Sequence, residues 1–149
     1  MLGEFSDMRF TAEHQYGETV QLYREAGAVF GLFMHAAGLA GDTPMGLLED
    51  VRFDPTTGTL SFSARLTMGV QYAPTGNVPS RDLFRFDGRL RGDTLTGTLA
   101  RKDMLNETVP AESRQVTLKR TKETLDPPAS YTAWRRSVDG ILLLRGPKW

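Results

Sequence analysis

Residues 83–102 read LFRFDGRLRGDTLTGTLARK, and apolar side chains fall at every second position on either side of Gly92-Asp93. A period of two puts one set of side chains on each face of a strand, and no helix can satisfy it. Glycine at the first position of a two-residue turn fixes the register. Arg91 then pairs with Thr94, Leu90 with Leu95 and Phe86 with Leu99, and Gly88 stands opposite Gly97. Facing glycines remove two side chains from one spot on the apolar face. That requires a sharp bend, a bulky internal residue such as Trp134 or Phe62, or a ligand against bare backbone.

The same period recurs from Met8 to Thr121. Residues 8–16 form a predicted first strand with Phe10, His14 and Tyr16 in phase on its inward face, ended by Gly17. Residues 18–25 and 28–36 make a hairpin around Ala26-Gly27. The second of these strands is apolar on both faces, so another element or a partner subunit is expected to cover its outer side. Residues 47–53 and 59–66 are joined by Asp54-Pro55-Thr56-Thr57-Gly58, whose residue types suit a tight turn. Residues 81–91, 94–102 and 114–121 bring the total to eight strands. The glycine-rich segments 38–44 and 67–80 read as long loops. After Asp126-Pro127-Pro128 the period lengthens to that of a helix over residues 130–145, with Ser130 as N-cap and Tyr131, Trp134, Val138, Ile141 and Leu142 on one stripe. Residues 1–7 show no period and read as a flexible appendage, leaving residues 8–149 as a single domain.

A chain of 149 residues suits one domain with its own core. Cysteine is absent, which excludes disulfides and thiolate catalysis. Eighteen basic residues are interspersed with eighteen acidic ones, so no broad positive field for nucleic acid is expected. The local run Arg114, Lys119, Arg120 and Lys122 reads as a solvated strand face. No apolar run approaches the roughly 20 residues of a membrane span, and the N-terminus lacks a signal-peptide pattern, so a soluble cytoplasmic protein, or a mature form already cleaved, without a membrane partner is expected.

These elements predict a mainly β fold: an eight-stranded antiparallel up-and-down β-barrel with one C-terminal α-helix packed on its outside. Eight hairpin-linked strands followed by a helix resemble a calycin-type barrel, the group containing lipocalins, fatty-acid-binding proteins and avidins. Lipocalins carry a Gly-x-Trp triplet on the first strand, where the strand predicted here has Arg9-Phe10-Thr11. Avidin sites hold several tryptophans, and this chain has only Trp134 and Trp149. The resemblance is therefore one of strand order, and no ligand residue is carried over.

Such a barrel points to non-catalytic binding of a small apolar or amphipathic ligand. Phe10, His14, Tyr16, Phe62, Phe84, Phe86, Gly88 and Gly97 would line the space, with the two long loops at its entrance. His14 and His35 fall short of the three or four ligands of a metal site. No phosphate loop, nucleophile elbow or carboxylate pair is readable, and no cofactor is implied. Arg24 shares a strand face with Leu22 and Glu18, so an internal Glu18–Arg24 pair competes with exposure at the rim. Two alternatives remain open. One is a protein-interaction module or homodimer built on the doubly apolar strand. The other is a cavity-type cyclase or isomerase, in which the shape of the cavity does most of the work.

Overall fold

The computed structural model describes residues 2–39, 43–73, 76–122 and 126–149. Its strands are β1 (Gly3–Ser6), β2 (Arg9–Phe10), β3 (His14–Glu25), β4 (Ala28–Leu39), β5 (Met45–Leu47), β6 (Glu49–Phe53), β7 (Thr59–Leu66), β8 (Val70–Ala73), β9 (Gly76–Pro79), β10 (Asp82–Arg91), β11 (Thr94–Asp103) and β12 (Glu112–Arg120). A single helix, α1 (Tyr131–Arg145), follows them. The main sheet has ten strands, in the order β5-β4-β3-β1-β12-β11-β10-β7-β6 with β2 added to β3, and β8 and β9 form a separate hairpin. Every pairing is antiparallel.

The two ends of this strand order are consecutive in the chain. β5 pairs with β4 through Met34↔Met45, and after Leu48 the chain changes partner, so that β6 pairs with β7 through Phe53↔Leu60. One bent stretch thus spans β4 and β7, and the sheet is nearly closed into a barrel. The bend has a backbone cause: Asp50 has φ 51°, and the register slips between Glu49 and Arg52, a bulge that turns the strand. The mainly β barrel-like architecture stands, with ten strands in its sheet where eight were expected.

The largest departure is at the N-terminus. The segment expected to be flexible contains β1, which lies between β3 and β12 with Phe5 paired to Val20 on one side and Arg120 on the other. Phe5 is fully buried. Four residues are too few to show a period, which is why the strand is silent in the sequence. The triplet Gly3-Glu4-Phe5 is thus a Gly-x-aromatic sequence on the actual first strand. Arg120 lies over the Phe5 ring at 4.8 Å and donates to the Leu2 carbonyl at 2.6 Å and to Asp93 at 2.7 Å, closing this end of the barrel. Residues 8–16 do not form one strand: residues 14–16 open β3, which runs on through Gly17, and pair with β4 through Gln15↔Gly38 and Tyr16↔Ala37. Part of them forms the short β2, which pairs with the start of β3 through Arg9↔Tyr16 and Phe10↔Gln15.

The β10–β11 hairpin has the register that counting predicts, including Phe86↔Leu99 and Gly88↔Gly97, with Gly92 at φ 57° in the turn. The space over the paired glycines is taken by Phe86 itself. A Cβ on Gly88 would lie 2.5 Å from the tip of that ring, and one on Gly97 would lie 2.8 Å from it. Phe62 then stacks on Phe86 with ring centres 5.2 Å apart. An internal side chain fills the spot, and it comes from the same strand.

The core continues with Val20, Leu22, Phe33, Leu60, Leu66, Phe84, Leu95, Leu99, Val116 and Leu118, none more than 4% exposed. A void large enough for water would leave its lining atoms accessible, so these values describe a filled interior. Outside the barrel, α1 starts at Ser130, whose hydroxyl accepts from the Ala133 N–H at 3.1 Å. Its Trp134 and Val138 pack on Tyr23, Leu32 and Met45, with Phe30 and Met34 alongside. The helix therefore covers the outer face of β4, which explains why that strand is apolar on both sides. No helix of the described residues is long and apolar enough to cross a membrane.

Candidate functional site at the open end of the barrel

The barrel has two unlike ends. At one, tight turns and Arg120 close the structure. At the other lie the 40–44 link, of which residues 40–42 fall outside the described residues, the β8–β9 excursion, whose tip at 74–75 does so too, and the 104–111 link.

The inward-facing rows run from apolar to charged toward this open end. Leu22 and Val20 lead to Glu18 on β3, and Phe33 leads to His35 on β4. Phe86 and Phe84 lead to Asp82 on β10, Leu99 to Arg101 on β11, and Val116 to Arg114 on β12. The strand period thus places a layer of charge directly on the phenylalanine core.

Each buried charge in the layer has a partner. The Glu18 side chain is 1% exposed, and its Oε1 accepts from His35 Nδ1 at 2.7 Å and from the Arg114 guanidinium. Asp82 is 4% exposed and accepts from Arg101 at 2.8 Å and from the Ser80 hydroxyl at 2.6 Å. Phe84 lies between the two groups, with the His35 ring centre 5.0 Å away and the Arg101 guanidinium 5.8 Å from its ring. Burial pushes the Glu18 carboxyl up, but the hydrogen bonds and charges of His35 and Arg114 outweigh it and hold the group below its ordinary value. An ionised carboxylate can only accept, so His35 donates through Nδ1. The second oxygen, Glu18 Oε2, is buried and has no hydrogen-bond partner among the described residues.

Above the layer is a cleft of about 500 Å³. Met68, Val70, Val109 and Pro110 form its apolar walls, Ser80, Asp82 and Arg101 its floor, and Gln71, Asp103 and Glu112 its polar rim. Asp103 accepts from Gln71 Nε2 at 3.1 Å and from the Leu105 N–H at 2.9 Å. Burial pushes this carboxyl up as well, and those two donors, with a contribution from Arg101, bring it below its ordinary value.

The residues predicted for a ligand space divide into two groups. Phe62, Phe84, Phe86, Gly88 and Gly97 do face inward, but the three rings pack on one another and on Phe33, and Phe86 covers both glycines. Only Phe84 reaches the charged layer. Phe10, His14 and Tyr16 are not in the interior. Phe10 is 70% exposed and Tyr16 47% exposed, and His14, half-buried, stacks on Tyr16 at 6.0 Å. Their shared phase survives, but beyond Gly17 the strand carrying His14 and Tyr16 has passed the end of the packed core. His14 and His35 do not meet. Arg24 is exposed near the opposite end of β3, and the partner of Glu18 is Arg114, 96 residues away in sequence.

Of the residues that matter most here, Asp82 and Arg101 carry no site reading in the sequence, where Arg114 reads as part of a solvated strand face and Glu18 as a partner for Arg24. The available signal was phase: Glu18 continues Val20 and Leu22, and Asp82 continues Phe84 and Phe86. A search of protein-family models, curated proteins and solved structures finds no match to this chain.

Proposed function

We propose that this protein is a non-catalytic binder of a small amphipathic molecule, taken up in the cleft at the open end of the barrel. The observation that carries this reading is a cleft of about 500 Å³ in which Met68, Val70, Val109 and Pro110 stand beside fixed, internally paired charge. That size falls within the range of small-molecule sites, about 300–1,000 Å³. The calycin resemblance supports it through a nearly closed antiparallel barrel, a helix after the last strand, and a Gly-x-aromatic triplet on β1.

The phenylalanine interior is not where the ligand is placed, because its side chains already fill it. Glu18 is held below its ordinary value with its Oε1 committed to His35 and Arg114, so it is not a general acid near neutral pH. The interaction-module alternative loses its motive where α1 covers the outer face of β4. The reading requires neither a cofactor nor a second subunit.

Native mass spectrometry of freshly purified protein, together with an environment-sensitive apolar fluorophore, tests the proposal. Val70 is 63% exposed on the cleft wall, so Val70→Trp should fill the cleft without disturbing the core. Loss of fluorophore binding with unchanged thermal stability is the expected result. Binding that is equally tight in Val70→Trp would overturn the assignment of the cleft.

A further inference from the structure

We infer that the edge of β12 facing β1 takes up a lone extended polypeptide segment of a partner protein, added to the sheet as a further strand. β12 has β11 beside it from Glu112 to Lys119. On its other side it meets only the end of β1, through Phe5↔Arg120 and Ser6↔Lys119. Residues 112–118 therefore have no strand next to them on that side.

Hydrogen bonds just beyond this stretch fix which backbone groups face the gap. The Arg120 N–H donates to the Asp93 carbonyl on the β11 side, and the Thr121 N–H donates to the Glu4 carbonyl on the β1 side. Sides alternate from residue to residue along an antiparallel ladder, so Ser113, Gln115 and Thr117 turn their N–H and C=O groups away from β11. None of these backbone groups has a hydrogen-bond partner among the described residues, and all three residues are exposed. A free edge is normally blunted by proline, lysine, a bulge or an inward charge. Residues 113–118 contain no proline or lysine and pair with β11 in unbroken register, and the one inward charge, Arg114, is held by Glu18.

Such a row of donors and acceptors is complemented by the backbone of another strand. β3 carries β4 along one edge from His14 to Glu25, so β2 sits on its other edge and stands across the gap from β12. A second copy of the chain could offer its β12 only with β11 attached, and β2 stands where that β11 would go. A lone strand brings no such neighbour. Its side chains must follow the rows of β12: polar beside Ser113, Gln115 and Thr117, and apolar beside Val116 and Leu118, which are 4% and 1% exposed. The partner segment is thus proline-free, about five or six residues long, and alternates polar with apolar side chains.

The test selects binders to the full chain from a display library of random peptides of about ten residues and follows the best one by hydrogen-exchange NMR. The peptide should slow exchange of the Ser113, Gln115 and Thr117 amides about tenfold or more, and leave those of Val116 and Leu118, already bonded to β11, unchanged. Gln115→Pro deletes one outward N–H while keeping the bonds to β11, and should weaken the peptide about tenfold. Ser113→Pro, nearer the start of the strand, serves the same purpose if Gln115→Pro does not fold. Val70→Trp, which fills the cleft, should leave peptide binding unchanged, so this inference and the small-molecule reading are tested separately. A library that yields no binder, slow exchange of the three amides in the free protein, protection without the alternation, or full affinity in the folded proline variant overturns the inference. So does a dimer in solution that the proline variant dissolves, which would put a second copy on this edge.

Discussion

Glu18→Gln should remove an acid-sensitive part of this protein's stability while leaving its shape almost unchanged. Glutamine is nearly isosteric with glutamate but carries no charge. Two charge-assisted hydrogen bonds converge on Glu18 Oε1, and such bonds contribute about 1.5–3 kcal/mol each. Two effects reduce the net loss. The Arg114 side chain is 51% exposed and regains water when its partner is neutralised, and the variant escapes the cost of burying a charge on a side chain that is 1% exposed. A loss on the order of 1–2 kcal/mol at neutral pH remains. The folded-state pKa of Glu18 lies below its ordinary 4.5, so its contribution is fully present above that value and is lost as pH falls through the lower folded value. Once Glu18 is protonated it differs little from glutamine, and the gap between the two proteins should close. Urea denaturation of both proteins at neutral pH and at about pH 3 measures this directly. Asp54 and Asp103 are also held below their ordinary values and shift the curves with the same sign, but they are common to both proteins and cancel in the difference. A variant as stable as the wild type at neutral pH, or a deficit that persists unchanged into acid, would refute this account of the charged layer.

Phe5→Ala should cost about 3–5 kcal/mol in denaturant unfolding, as for a fully buried ring, whereas a flexible N-terminal segment would show no effect. Gly97→Ala should cost about 1–3 kcal/mol or more, because the new Cβ would lie 2.4 Å from the Asp87 carbonyl oxygen and 2.6 Å from the Gly88 Cα, backbone atoms that cannot rotate away. Gly38→Ala, at a site with nothing within 4 Å and no positive φ, is its control and should change the midpoint by less than about 0.5 kcal/mol. Trp134→Ala should detach the helix before the barrel unfolds, seen as an early loss of helical circular dichroism. A single transition of wild-type shape would show instead that the helix and barrel remain one cooperative unit.

Much of the barrel is legible because its strands are long enough to repeat. β7 and β10–β11 show four or more alternations, and the two-residue turn at Gly92 carries the residue types that fix register, so pairing could be counted to the residue. The helix was equally plain, since Ser130, Trp134 and Val138 give both its start and its buried stripe. β1 was not, because it contributes one buried aromatic and its strand is held by neighbours from positions 19–22 and 119–120. The strand predicted at 8–16 failed for the complementary reason. Alternation reports which residues share a face, but whether that face meets a core depends on what lies opposite, and the wall beyond Gly17 has no core to meet. The candidate site was hidden by the same limit: a charged residue in phase with an apolar row reads equally as a rim or as a buried pair until its partner on another strand is known.

The short first strand and the charged layer are physically connected. β1 ends at Ser6, while its neighbours β3 and β12 continue toward the open end, so the ladder between them is interrupted. Backbone groups and apolar side chains at such a gap would otherwise face water. Asp7 takes over first: its N–H donates to the Glu18 carbonyl at 3.1 Å, and its carboxylate accepts from the Glu18 N–H at 2.7 Å. Arg114 then reaches from β12 across to the Glu18 side chain, tying together two strands that share no backbone hydrogen bond. A side-chain ion pair thus stands in for the missing part of a strand. The substitution leaves polar groups inside the barrel mouth, directly beneath the cleft, where a fully hydrogen-bonded wall would have left only phenylalanine. The interruption that made β1 hard to read is therefore what gives the open end its chemistry.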